Sequence, residues 1–121
     1  MNIVDQLLKI YYKEEWWHKN LMNPVMAFNY HYLLLNQGNI QVYTELDVVL
    51  GYYEVWFVNK EQICKLMMDE SFSPLKEDVT NGDITYLANV WIDKKFRKGR
   101  IFKELRSRFI NQTSLCQMVI G

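Results

Sequence analysis

The residues best suited to chemistry lie in positions 86–105, YLANVWIDKKFRKGRIFKEL. An apolar, strand-like run leads here into a basic turn and then into a segment with apolar residues at helical spacing. The first turn of a helix exposes backbone N–H groups, and the helix dipole favours negative charge there. These residues therefore predict a binding site for an anion such as a phosphate or pyrophosphate. The alternative is a helix start flanked by solvated basic side chains.

The charges of the chain are balanced in number but unevenly placed. Its 121 residues hold 14 Lys and Arg against 14 Asp and Glu. Residues 45–93 carry ten acids and three bases, whereas residues 94–121 carry eight bases and one acid. The basic segment suits an anionic partner, and its helix could also follow the phosphates of a nucleic acid. The alternative is that the basic face docks on the acidic segment of the same chain. The bases on or near one helix face are Arg100, Lys103, Arg106 and Arg108.

Composition limits the class of protein. Half of the residues are hydrophobic and 15% are aromatic, which predicts one domain over residues 1–121 with a substantial core. No apolar run reaches the roughly 18 residues that a membrane span needs, so a cytoplasmic protein without membrane contact is expected. Cys64 and Cys116 form no C-x-x-C pair and predict reduced, buried thiols. His18 and His31 lack the spacing of metal ligands, so no metal is expected.

Hydrophobic spacing predicts the elements that position the basic turn. Asn2 is expected to cap a first helix, Pro24 to separate it from a second short helix, and Asn59 with Gln62 to cap a third. Gly51 marks a bulge in a long strand. Strands are predicted over residues 30–35, 40–46, 48–58, 84–92 and 115–120, and helices over 60–69 and 99–111. The result is a mixed α/β fold whose central sheet is largely antiparallel, with helices on both faces.

The strand over residues 84–92 is predicted to be central because both of its faces are largely apolar. Strict alternation places Ile84, Tyr86, Ala88, Val90 and Ile92 on one face. Its end, Asp93, is expected to cap the structure that follows rather than to act in catalysis.

In the GNAT acetyltransferase superfamily, a central strand ends in a pattern like V-x-P-x-Y-R-G-K-G-I-G-x-x-L. Residues 92–105, IDKKFRKGRIFKEL, resemble this pattern. The order of the predicted elements is similar to that family over nearly the whole chain. The resemblance implies a GNAT-like acyl-CoA N-acyltransferase fold, minimal or truncated at the C-terminus. The positions that match the family's Val, Tyr, Arg, Ile and Leu are Ile92, Phe96, Arg97, Ile101 and Leu105.

The resemblance also implies a cofactor, acetyl-CoA. Val90 and Ile92 would offer backbone groups to the pantetheine arm. The residues expected to face the pyrophosphate are Arg97, Lys98, Gly99, Arg100, Ile101 and Phe102. The family's turn is R-x-x-G-x-G/A, and here Arg100 and Phe102 stand at the two glycine positions, while Gly99 falls one residue earlier. Either these side chains fill the pyrophosphate site, or Arg100 swings outward and adds a contact to a phosphate.

The function implied by the resemblance is transfer of an acetyl group from acetyl-CoA to an amine, on a small molecule or a protein lysine. Glu54, in the apolar run GYYEVWFV, is the acid expected to be buried and is the candidate base for the attacking amine. Its alternatives are an outward-facing edge carboxylate and an ion-pair partner. The alternative function is a catalytically inactive GNAT-like module that binds a protein or a nucleic acid. An exposed last strand would also permit a homodimer.

Overall fold

A computed structural model describes residues 2–14, 22–68, 77–96, 99–113 and 117–120. The four strands form one sheet in the order β1-β2-β3-β4, antiparallel except that β4 runs parallel to β3. This confirms the mixed α/β fold with a largely antiparallel sheet. The elements are α1 (Ile3–Glu14), α2 (Pro24–Asn36), β1 (Ile40–Glu45), β2 (Val48–Val58), α3 (Lys60–Met68), β3 (Ile84–Ile92), a 3-10 turn (Lys94–Phe96), α4 (Arg100–Thr113) and β4 (Gln117–Ile120).

Two apolar layers hold the helices on the sheet. Successive residues of a strand point to opposite faces, so β2 contributes Tyr52 to one layer and Tyr53 to the other. The first layer contains Leu7 of α1 and Leu34 of α2. The second layer contains residues of α4, among them Leu105. The predicted placement of helices on both faces is therefore confirmed.

The predicted strand over residues 30–35 is wrong, because these residues belong to α2. Asn23 caps this helix by accepting a hydrogen bond from the Met26 backbone N–H at 3.0 Å, and Pro24 occupies its first turn. The residues that α2 buries have helical spacing: Ala27, Tyr30, His31 and Leu34. The large and aromatic residues at positions 30–35 are typical of a strand, but the cap at Asn23 starts a helix that includes them. The observed order thus has two strands, not three, between α2 and α3.

The turns on either side of β1 also follow from local backbone conformation. Gly38 has a φ of +82° directly after α2, the left-handed conformation in which glycine commonly ends a helix. Leu46 and Asp47 have φ values of 51° and 64° and form the two-residue connection between β1 and β2. Strand β1 therefore ends at Glu45, one residue before the predicted boundary.

Two bulges change the register of the sheet. Tyr43 lies opposite Gly51 and Thr44 opposite Val49, so an extra residue of β2 lies beside Gly51, as predicted. In the next pair of strands, Glu54 lies opposite Asn89 and Val55 opposite Leu87, which leaves Ala88 as the extra residue of β3.

The bulge at Ala88 makes the predicted face of β3 wrong. Ile84 and Tyr86 pack in the first layer, but Ile92 packs in the second layer and Trp91 in the first. An extra residue in a strand exchanges the two faces beyond it, because the side-chain period is two. Strict alternation in the sequence does not reveal this exchange.

Two further expectations have clear outcomes. The caps are confirmed: Asn2 Oδ1 accepts from the Asp5 N–H at 2.8 Å, and Asn59 and Gln62 exchange two hydrogen bonds of 2.9 Å. The expectation that Cys64 is buried is wrong, because it is a free and exposed thiol on α3. Cys116 lies outside the described residues.

At Gly82 the chain passes close to Val58, the last residue of β2. A Cβ atom at this position would lie 2.1 Å from the carbonyl carbon of Val58, so the backbone itself would have to move. We expect Gly82→Ala to lower the free energy of unfolding by about 3 kcal/mol, measured by denaturant titration.

The matched control is Gly99→Ala, where the nearest atom lies 3.7 Å from the added Cβ. This control should cost less than about 1 kcal/mol, the usual scale of a change at a helix start. Equal costs for the two variants would contradict the described packing.

Candidate functional site

The two edges of β3 pair with neighbouring strands over different lengths. On one side the strand pairs with β2 along its whole length, from Ile84 to Ile92. On the other side its ladder with β4 covers residues 84–87, so residues 88–92, here called the exit segment, extend past the described end of β4. Val90, at the centre of this segment, is 44% exposed. Backbone amide and carbonyl groups on a strand edge can bond an extended ligand as they would bond another strand.

The exit segment leads into a tight connection before α4. Asp93 closes the 3-10 turn: its Oδ1 accepts from the Lys95 N–H at 3.0 Å, and its carbonyl oxygen accepts from the Phe96 N–H at 2.8 Å. The expected capping role of Asp93 is thus seen in its hydrogen bonds. Gly99 follows, with its N–H donating to the Phe96 carbonyl at 3.2 Å. Because glycine has no side chain, residue 99 supplies no side-chain acceptor to the first N–H groups of α4.

The residues predicted to face a pyrophosphate have different placements. Arg100 forms an ion pair with Glu45 of β1, and its side chain is 72% exposed. Ile101 is fully buried in the second layer, so it can offer only backbone groups to a ligand. Phe102 is 49% exposed and lines a groove between α4 and β3. Arg97 and Lys98 lie outside the described residues.

These placements bear on the two interpretations of the turn. The Arg100 side chain extends to β1, where it pairs with Glu45, and the Phe102 side chain contributes to the groove wall. Ile92, the other predicted backbone contact, has its side chain buried in the second layer. The described residues thus bring Val90, Gly99 and the first turn of α4 to one end of the sheet.

The groove is a feature that the sequence interpretation missed. It has a volume of about 330 Å³ and runs along β3 and α4. Its lining residues are Tyr53, Leu87, Val90, Phe102, Leu105, Arg106, Phe109 and Ile110. The sequence does carry a signal for it: the apolar side of α4 includes Phe102 and Ile110, which are 49% and 46% exposed. This apolar side is wider than the surface that the sheet covers.

Glu54 is buried, as expected, with 6% of its surface exposed. Its Oε2 accepts hydrogen bonds from the Tyr30 hydroxyl at 2.5 Å and from the Trp56 indole N–H at 2.8 Å. The backbone of Glu54 lies opposite Asn89 in the exit segment. Its side chain, however, contacts residues of the first layer, whereas the groove lies beside the second. The predicted base is therefore near β3 in register but separated from the groove by the sheet.

The environment of Tyr30 constrains its chemistry. Burial, and then the negative charge of Glu54, hold the pKa of the Tyr30 hydroxyl well above its ordinary value. The hydroxyl therefore stays protonated at neutral pH and donates to Glu54. The same hydroxyl accepts from the Trp56 indole N–H at 3.0 Å, so the three side chains form one buried network.

Part of the basic segment docks on the chain itself. Arg100 pairs with Glu45, an acid of the acidic segment, as the docking interpretation predicts. Arg108 pairs with Glu104 at 3.2 Å and donates to the Val42 carbonyl at 2.8 Å. These contacts direct two of the four predicted phosphate-binding bases toward the protein's own groups.

None of the described helices is both long and apolar enough to cross a membrane. No group of three or more His, Cys, Asp or Glu side chains among the described residues is arranged to hold a metal ion.

Comparison with known proteins identifies the fold. No protein-family model matches the chain, and none of the curated proteins does. A crystal structure of a predicted acetyltransferase with acetyl-CoA from Clostridium acetobutylicum is similar over 98% of this chain and 71% of its own, with a TM-score of 0.58 and 14% identity. A possible acetyltransferase from Clostridium difficile 630 is similar over 98% and 72%, with a TM-score of 0.54 and 17% identity. The chain therefore shares the fold of these two structures, which is the GNAT-like fold that the sequence resemblance implies.

The buried network makes a prediction about Glu54. Glu54→Ala would remove the acceptor that Tyr30 and Trp56 share, so we expect it to lower the free energy of unfolding by about 3 kcal/mol. The measurement is denaturant unfolding beside Glu61→Ala, which removes an exposed carboxylate of α3 and should change stability by about 0.5 kcal/mol at most. Similar stabilities for the two variants would contradict the network.

Proposed function

We propose that the protein transfers an acetyl group from acetyl-CoA to a primary amine, on a small molecule or a protein lysine. The observation that carries this proposal is the exit segment of β3, which extends past the described end of β4 and leads into the N-terminus of α4. This arrangement offers a strand edge and a helix start in sequence. The similar structure from Clostridium acetobutylicum, which is with acetyl-CoA, supports the choice of ligand.

The described residues fit such a ligand in three respects. Val90 is exposed at the centre of the exit segment, where its backbone would bond an amide of the pantetheine arm. The first turn of α4 after Gly99 would bond the pyrophosphate through backbone N–H groups. Arg97 and Lys98 would add positive charge by their place in the sequence.

Arg100 and Phe102, which stand at the two glycine positions of the pattern, both have side-chain contacts within the protein. Arg100 is held on Glu45, and Phe102 packs along the groove. A Cβ at Gly99 would meet its nearest neighbour at 3.7 Å, so the start of α4 is not crowded at this position.

Acetyl-CoA would supply a thioester: the nitrogen of a neutral amine would attack its carbonyl carbon, the C–S bond would break and an amide would form, with the proton of the amine passing to a base of the protein and CoA leaving as the thiolate. The protein then has two tasks. It must hold both reactants in contact, which is worth several kcal/mol in a transfer between bound groups. It must also accept a proton from the attacking amine.

Glu54 is proposed as the final proton acceptor, with Tyr30 as the relay. The Tyr30 hydroxyl already donates to Glu54 at 2.5 Å, so it can pass its proton to the carboxylate while it takes another from the acceptor side. The raised pKa of Tyr30 disfavours a free tyrosinate, and a concerted relay avoids forming one.

The helix start can be tested by adding a charge to it. Phe102→Glu places a carboxylate in the first turn of α4, where it would repel a pyrophosphate but favour the helix dipole. We expect the dissociation constant for acetyl-CoA, measured by calorimetry, to rise about tenfold, the scale of one charge-assisted contact.

The matched control is Ser107→Glu, at an exposed position later in the same helix, which should bind acetyl-CoA as the unmodified protein does. Equal affinities for the two variants would contradict binding at the start of α4. Release of the CoA thiol in the presence of a lysine peptide or a polyamine then separates an enzyme from a module that binds without turnover.

A further inference from the structure

The outer side of α2 is apolar and carries no charge. The 13 residues of this helix include no Asp, Glu, Lys or Arg, and its inner side already packs in the first layer. The other described helices expose charged residues, such as Lys9 of α1, Glu61 of α3 and Lys103 of α4. A helix that is apolar on all sides is normally covered on all sides. The large hydrophobic side chains of α2 that are 40 to 71% exposed are Val25, Met26, Phe28, Tyr32 and Leu33.

Four residues of α2 form a stripe with heptad spacing. Val25, Phe28, Tyr32 and Leu35 recur at intervals of three, four and three residues, so they lie along one line of the helix. This is the spacing with which a helix inserts its side chains between those of a second helix. The rings of Phe28 and Tyr32 are stacked, with centroids 5.9 Å apart and planes at 14°. Two rings that already hold each other lose little freedom when a partner covers them.

A cavity of about 590 Å³ lies beside this stripe. Phe28, Tyr32 and Leu35 line it, together with Ile3 of α1 and Asp47 of the β1–β2 connection. Asp47 is the charged residue among the described lining positions. The stripe and the cavity thus offer both projecting apolar side chains and a space that can receive such side chains.

We propose that the outer side of α2 binds the same surface of a second copy of the chain, so that two α2 helices pack against each other across a two-fold axis. This inference goes beyond the proposed function and does not depend on it. A two-fold axis brings identical surfaces together, and any charge on the surface would then lie near its own copy. The outer side of α2 has no charge to repel its copy, whereas a charged partner would find no opposite charge on this helix.

The exposed area agrees with a reversible dimer. The five exposed side chains leave roughly 500 Å² uncovered, at about 200 Å² for a large side chain. Two copies would therefore bury roughly 1,000 Å², which is the lower limit for a specific interface. We expect an association that depends on protein concentration.

Sedimentation equilibrium of the full chain, over about 1 to 500 µM, tests the proposal at the affinities expected of a small interface. We expect a reversible dimer. Tyr32→Glu places a carboxylate in the apolar interface of both copies and should raise the dissociation constant at least about a hundredfold. Val25→Lys should act in the same way, and both variants should keep their circular dichroism because these positions are exposed. The matched control is Met67→Glu, at a 73% exposed position of α3, which should keep the dimer.

A cross-link tests which helices meet. Asn29 is exposed near the middle of α2, between Val25 and Tyr32 on the outer side. Helices pack about 8–10 Å apart, which brings facing Cα atoms close enough for a disulfide. With Cys64 and Cys116 replaced by Ser, Asn29→Cys should form a disulfide-linked dimer on mild oxidation. Lys103→Cys, at an exposed position of α4, should not.

Several results would overturn the proposal. One is a monomer at every concentration, and another is an Asn29→Cys variant that cross-links no better than Lys103→Cys. A dimer that Phe102→Glu abolishes and Tyr32→Glu retains would place the interface on α4 instead. A monomer that binds vesicles of neutral phosphatidylcholine, and loses this binding in Tyr32→Glu, would assign the outer side of α2 to a lipid surface.

Discussion

The different pairing on the two sides of β3 is the constraint on which the site depends. A strand carries backbone hydrogen-bonding groups along both edges, and these groups require partners. On one side β2 supplies them along the full strand, but on the other the described ladder with β4 covers residues 84–87. The bulge at Ala88 lies at this boundary, where it also exchanges the two faces of the strand. An extended ligand can therefore bind along this edge of β3.

The second layer keeps α4 in register with that edge. A Cβ at Gly51 would lie 3.0 Å from Ile101 Cγ2 and 3.1 Å from Leu105 Cδ1, so the helix approaches β2 closely at this glycine. Close packing at the helix start fixes the direction of its first turn and leaves Phe102 and Ile110 beyond the area that the sheet covers. The groove and the helix terminus therefore have one origin: a helix whose apolar side is wider than its contact with the sheet.

Much of the fold follows from local sequence signals, and the exceptions have physical causes. The cap pairs at Asn2 and at Asn59 with Gln62 predict their helices correctly. The strand predicted over residues 30–35 is wrong because their composition favours a strand while Asn23 and Pro24 start a helix upstream. The bulge at Ala88 has no sequence signature of its own, since it depends on the pairing of two strands. Burial of Glu54 is readable from its apolar neighbours, but its hydrogen bond from Tyr30 requires α2 to be a helix.

The central claim is that a CoA thioester lies along the exit segment. Amide hydrogen exchange of residues 84–92, resolved by NMR, with and without saturating acetyl-CoA, tests it most directly. Residues 84–87 serve as an internal reference, because β2 and β4 flank them already. The account predicts slower exchange for Val90 and its neighbours and for the first turn of α4, with little change at residues 84–87. Binding of acetyl-CoA without slower exchange in residues 88–92 would contradict it.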